Sequence, residues 1–132
     1  MPRNESPLEK EKSLGYVVKV QQVIDFIVLA ELQKNGRLYA REMDQEIIRI
    51  LDGVGVNDSY LSQRLKKLAE SGHVKRQWDG DNRYNRYYEI TDLGVEYFKL
   101  LLRDLPDRVK QALRVYTLFD NYIKQYGHVN LK

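Results

Sequence analysis

The stretch NDSYLSQRLKKLAESG, from Asn57 to Gly72, carries a full set of helix signals. Asn57, Asp58 and Ser59 bear small polar side chains that can accept the first free amides of a helix. Gly72 can take the left-handed turn that ends one. Leu61, Leu65 and Leu68 recur at spacings of four and three, so they share one face. Ser59, Gln63, Lys66, Lys67 and Glu70 point the opposite way, with Tyr60 and Arg64 on a flank. The outward face therefore offers hydrogen-bonding and cationic groups and no bulky aliphatic ones.

Immediately after Gly72 come two short runs, His73 to Asp79 and Arg83 to Ile90, rich in β-branched and aromatic residues and separated by Gly80-Asp81-Asn82. This is the pattern of a β-hairpin. Lys75, Arg76, Arg83, Asn85 and Arg86 surround its tip. Exposed cations there can pair with phosphates or enter a minor groove. A polar-cationic helix followed at once by a basic hairpin is the order of a winged helix-turn-helix, in which the helix enters a major groove. On the helix, an amide at Gln63 suits adenine and a cation at Lys67 suits guanine, while Ser59 and Tyr60 suit backbone or flanking bases.

Upstream, Val18 to Asn35 predicts a first helix. Val20, Val23, Ile24, Ile27, Val28 and the run Ala30 to Leu32 give it a wide apolar stripe. Arg37-Leu38-Tyr39 is short enough to be a strand beside the hairpin or a plain connection. Ala40 to Leu51 predicts a second helix with Met43, Ile47, Ile48 and Leu51 inward and an acidic outer face. Downstream, Thr91 is a suitable cap for a helix starting at Asp92. Leu93, Tyr97, Leu101, Leu105, Val109, Ala112, Tyr116, Phe119 and Ile123 then continue in phase. Pro106 predicts a kink or break in that helix. Such a length cannot bury its whole stripe on a small domain, which points to a second copy packed along it, or else to a helix folded back at Pro106.

The chain has 132 residues, 42% of them apolar, as expected for one core. Its most apolar stretch, Val23 to Leu32, holds Asp25 and Glu31, so no membrane span is expected. The first residues lack the apolar centre of a signal peptide, and there is no cysteine; both suit the cytoplasm. The net charge of +3 is small, but residues 59–86 hold seven Lys/Arg against three Asp/Glu. No metal, nucleophile or phosphate-cradle pattern is present: His73 and His128 stand apart from any such pattern. Asp79-Gly-Asp81-Asn departs from a calcium loop at Arg83 and Ile90. The ten tyrosines read as core packing on apolar stripes rather than as a stacking platform for single strands. An enzyme is not expected, nor a cofactor.

The run YLSQRLKKLAESGHVKRQWDGDNRYNRYYEITDLGVEYF, residues 60–98, resembles the PadR-type transcriptional regulators. The chain as a whole also resembles the replication terminator proteins of Gram-positive bacteria. The residues that carry this second likeness are Ser13-x-Gly15-Tyr-Val-Val-Lys19, Arg37-Leu38-Tyr39 and Leu65-x-x-Leu68-x-x-x-Gly72-His-Val-Lys75, with a long last helix after them. The terminator resemblance implies a symmetric dimer joined through that helix and a basic amino-terminal arm on the DNA backbone. It implies helix contacts at Ser59, Tyr60, Gln63 and Lys67 and wing contacts at Arg83 and Arg86. The arm here is nearly neutral, and Ile90-Thr-Asp-Leu-Gly94 is more PadR-like.

The expected architecture is mainly α with a small β-hairpin: a mobile arm over 1–13, a winged-helix domain over 14–91, and a long carboxy-terminal dimerisation helix over 92–132. The expected function is that of a homodimer occupying a specific double-stranded DNA site, on the nucleoid or a plasmid. Fork arrest is the main expectation, transcriptional repression of the PadR type the alternative, and a protein-interaction scaffold a more distant one. Whether replicative helicase or transcription machinery is contacted is left open. DNA contacts are expected at Ser59, Tyr60, Gln63, Lys66, Lys67, Arg76, Arg83, Asn85 and Arg86. Dimer contacts are expected at Leu101, Leu105, Val109, Ala112, Tyr116, Phe119 and Ile123.

Overall fold

A computed structural model describes residues 13–80 and 82–129, without the side chains of Asp79 and of residues 82–85. The expected arm, apart from Ser13, therefore lies outside the described residues. After a 3-10 turn at Leu14–Tyr16 come α1 (Val20–Asn35), β1 (Leu38–Tyr39), α2 (Ala40–Ile50), α3 (Asp58–Glu70), β2 (Val74–Asp79), β3 (Asn82–Ile90) and α4 (Asp92–Lys124). The chain forms two compact units. One is Lys19–Arg103; the other comprises the described parts of Met1–Val18 and Asp104–Lys132. This division falls within α4.

In the unit Lys19–Arg103, the sheet is antiparallel with order β1-β3-β2. The Arg37-Leu38-Tyr39 run supplies its edge strand, with Leu38 opposite Tyr88 and Tyr39 opposite Tyr87. The core gathers Ile24, Val28, Leu29 and Leu32 of α1, Met43 and Ile47 of α2, and Leu61, Leu65 and Leu68 of α3. Val74 and Tyr88 seal it from the sheet, and Leu101 from the first part of α4. Phe26 and Phe98 stack with ring centroids 4.7 Å apart, so the early turns of α4 belong to this core and carry the division past residue 92. Gly36, at φ 83°, ends α1 where a Cβ would strain the backbone. In the other unit, Arg108 donates to the Tyr16 carbonyl at 3.2 Å and lies 4.6 Å over the Tyr16 ring.

Several expectations need correction. The first helix begins at Val20, and Val20 itself is exposed rather than part of the stripe. In the eleven-residue α2 the buried stripe is narrow, limited to Met43 and Ile47. Ile48, one step further round, is exposed, and Leu51 caps the helix half-buried. Leu93, in the first turn of α4, is exposed although it is in phase with the stripe. Pro106 causes no break, because α4 is a single helix from Asp92 to Lys124. Proline removes a hydrogen bond to the carbonyl four residues back. That residue, Leu102, is exposed like Pro106, so water can replace the lost donor.

One close approach fixes how α4 leaves the sheet. Gly94 is buried, and a Cβ built there would lie 2.1 Å from the His73 carbonyl oxygen and 2.7 Å from Ile90 Cγ1. The first of these neighbours is backbone and cannot swing aside. Gly94→Ala is therefore expected to destabilise the fold by about 1–3 kcal/mol, the usual range for overpacking. Urea unfolding checks it: an unchanged midpoint would show that the helix start can slide outward at no cost.

Candidate nucleic-acid interface

The candidate interface is built on α3, whose cap is fully formed. Asn57 Oδ1 accepts the Tyr60 amide at 2.7 Å and the Ser59 hydroxyl at 2.9 Å. Asp58 in the first turn adds favourable charge at the positive end of the helix. With Leu61, Leu65 and Leu68 buried, Ser59, Gln63, Lys66 and Lys67 are exposed and Tyr60 is half-buried. Lys66 lies 4.0 Å from Glu70, an exposed pair of little energetic weight.

Arg64 takes no part in that outward face. Its Nε donates to Asp25 Oδ1 at 2.9 Å and its Nη2 to Asp25 Oδ2 at 2.6 Å. The Asp25 side chain is completely buried, and the Arg64 side chain is 15% exposed. The Tyr97 hydroxyl donates to the same Oδ2 at 2.9 Å, so one carboxylate of α1 holds residues of α3 and α4 together. The bond to Asp25 raises the already high pKa of Arg64. Burial, and then the Asp25 charge, push the Tyr97 phenol above its ordinary value. His73 stacks on Tyr97 with centroids 4.6 Å apart, and its Nδ1 is buried with no partner among the described residues.

A short linkage carries α3 into the wing. His73 N donates to the Leu68 carbonyl at 2.8 Å, and Gly72, at φ 81°, makes the turn. Thr91 Oγ1 donates to the Gly72 carbonyl at 2.6 Å and accepts the Gly94 amide at 3.1 Å. The same threonine thus closes α3 and caps α4. The hairpin register sets Val74 opposite Ile90, Arg76 opposite Tyr88 and Trp78 opposite Arg86. These residues share a sheet face, because side chains alternate along a strand. Towards the tip that face changes from buried Val74 and Tyr88 to exposed Arg76, Trp78 and Arg86. On the other face the Tyr87 hydroxyl donates to Gln77 Oε1 at 2.8 Å, and Arg37 lies 4.7 Å over the Tyr87 ring.

Of the expected DNA contacts, Gln63, Lys66, Lys67, Arg76 and Arg86 are exposed side chains of this unit. The Ser59 hydroxyl is engaged in the helix cap, and the side chains of Arg83 and Asn85 lie outside the described residues. The expected dimer contacts divide in two. Leu101, Leu105 and Ala112 are already buried within the single chain, whereas Val109, Tyr116, Phe119 and Ile123 are exposed. Sequence reasoning missed the buried pairing of Asp25 with Arg64 and the placement of Arg37 over Tyr87. Asp25 left a signal, a carboxylate inside an apolar stripe, which at that depth requires a partner.

No family model matches the chain, and no curated protein does. Solved structures do match. A transcriptional regulator from Clostridium thermocellum aligns at TM-score 0.55 and 20% identity, over 82% of this chain and 96% of that one. PadR of Bacillus subtilis in complex with operator DNA aligns at TM-score 0.51 and 20% identity, over 61% of this chain and 46% of that one. A mutant MarR from E. coli complexed with operator DNA aligns at TM-score 0.50 and 16% identity, over 83% and 76%. The chain has the winged-helix fold. Its structural neighbours are PadR- and MarR-like regulators, and they give the terminator resemblance no specific support. Among the described residues no helix is long and apolar enough to cross a membrane.

The buried pair makes a direct prediction. Asp25→Asn leaves the Arg64 cation without its counter-charge and should cost about 3–5 kcal/mol of stability. Adding Arg64→Met to that variant should recover much of the loss, because an apolar side chain of similar volume needs no partner. Chemical denaturation of the two variants decides it; a double variant no more stable than the single one would refute the assignment.

Proposed function

We propose that the chain is a transcriptional regulator that binds a specific double-stranded DNA site as a homodimer and acts by occupying it. The observation that carries this is the inward turn of Arg64. With that cation committed to Asp25, α3 presents Gln63, Lys66 and Lys67 outward as an ordered polar face next to a basic wing. Gln63 and Lys67 are assigned to base edges, since an amide matches adenine and a cation matches guanine. Tyr60 flanks them, and Ser59, spent on its cap, offers its remaining lone pairs and its position near the backbone. Lys66, Arg76, Arg83, Asn85 and Arg86 are assigned to phosphates or the minor groove. Nothing in this reading requires catalysis or a cofactor. The regulators among the structural neighbours, two of them solved with operator DNA, favour transcriptional control over fork arrest.

The dimer is assigned to the exposed part of the α4 stripe. Val109, Ala112, Tyr116, Phe119 and Ile123 follow the alternating three- and four-residue spacing of a coiled-coil seam, and all but Ala112 are exposed. A contiguous set of large exposed side chains on one helix face marks an interaction surface. A matching seam on a second copy buries it. Leu101, Leu105 and Ala112 support that seam from inside the chain.

Selection of bound sequences from a random duplex pool tests the function. Two-fold related half-sites about 10 base pairs apart are expected. On the selected site, Lys67→Ala should weaken binding by about 1–3 kcal/mol, with a smaller loss on unrelated duplex. Equal losses on both would reduce Lys67 to a phosphate contact. For the dimer, Tyr116→Glu combined with Phe119→Glu should yield a monomer in sedimentation velocity while the far-ultraviolet circular dichroism stays helical. A double variant that remains dimeric places the interface elsewhere.

A further inference from the structure

Trp78 is the sole tryptophan of the chain, and it is spent on no core. It is 45% exposed, on β2 next to the irregularity between Trp78 and Asp79, where the hairpin has run past the packed part of the sheet. Among the described residues its ring has one partner, Arg86, directly opposite on β3, whose guanidinium carbon lies 4.3 Å from the ring centroid. Tyr87 on the other face makes a contrast. It meets Tyr39 edge-on at 6.4 Å and ties its hydroxyl to Gln77, as a residue bracing the sheet would.

A guanidinium lying on an aromatic face keeps its donors in the plane, pointing outward past the ring edge, and it is weakly hydrated. Among the described residues no carboxylate pairs with Arg86, which leaves its donors without an acceptor among them. A free arginine loses much rotamer entropy when it fixes a ligand, and one already held flat loses less. Its forked geometry matches the two free oxygens of a phosphodiester.

We infer that Trp78 is the positioning residue of the wing: it holds Arg86 ready for a backbone phosphodiester of the duplex engaged by α3. This rests on the DNA-binding reading above. The indole contributes order rather than charge, and that separates its signature from that of the arginine.

Fluorescence anisotropy on the selected duplex across a salt series tests it, with wild type, Trp78→Ala, Trp78→Phe, Arg86→Ala and the Trp78→Ala/Arg86→Ala double variant. Trp78→Ala should bind about two- to fivefold more weakly, as expected for an exposed cation–π contact, with an unchanged salt slope. Trp78→Phe, which keeps a ring face, should restore most of the affinity. Arg86→Ala should lower the slope of log K against log salt by about 0.9, as for one phosphate, and the double variant should be no weaker than Arg86→Ala alone. Thermal melting of Trp78→Ala should match wild type. Wild-type affinity in Trp78→Ala, or losses that multiply in the double variant, overturn the inference and leave the DNA-binding reading in place. A wild-type chain that ignores all duplex at about 50 mM salt removes both.

Discussion

One carboxylate organises the winged-helix unit. Asp25 is wholly buried, and burying an unpaired carboxylate would cost more than a small domain has to spare. It therefore dictates where its partners go. Arg64 of α3 meets it with two charge-assisted bonds and Tyr97 of α4 with a third. Apolar contacts alone hold a helix against a core but allow it to turn about its axis by small amounts. A bidentate pair does not, since guanidinium and carboxylate must stay coplanar to keep both bonds. The pair thus sets the rotational phase of α3, and with it the direction in which Gln63, Lys66 and Lys67 point.

A second tie works at the other end of the same helix. Thr91 binds the Gly72 carbonyl and caps α4, while Gly94 lets α4 approach His73 more closely than any side chain would permit. The end of α3, the root of the wing and the start of α4 are joined through that node. Tyr97, one turn further along α4, returns to Asp25 and stacks on His73. The outward face of α3 and the hairpin that follows are therefore parts of one braced body.

Most of this architecture was legible from local pattern. The Leu61, Leu65 and Leu68 spacing, the Asn57 cap, the Gly72 stop, the Gly80 turn and the Thr91 cap each act within a few residues of themselves, so their signals lie in the sequence directly. The interactions that aim the site were not legible in this way. Asp25 and Arg64 stand 39 residues apart, and Trp78 meets Arg86 only once the hairpin register is set. The exposure of Ile48 and Leu93 lies beyond local pattern for a related reason. Their phase is apolar, but whether an in-phase side chain is covered depends on where neighbouring elements stop. The stripe of α4 shows the same limit. Periodicity could not separate Leu101, Leu105 and Ala112, covered by their own chain, from Tyr116, Phe119 and Ile123, which are not.

The distribution of charge bears on how such a surface would gain affinity. Residues 59–86 carry seven cations, but Arg64 is neutralised internally by Asp25, and Lys66 faces Glu70. The free positive charge of one copy is therefore smaller than the sequence suggests, and each phosphate contact adds only about one unit to the salt dependence. A surface this lightly charged cannot rely on bulk attraction to a polyanion. On the proposed reading affinity would come instead from direction and repetition: side chains fixed in advance, as Arg86 is on Trp78, and a second copy presenting the same face. On the proposed reading the exposed seam of α4 would be the means of that repetition. Modest charge, a helix phased by a buried ion pair and an exposed apolar seam are all consistent with the proposed homodimer on duplex DNA.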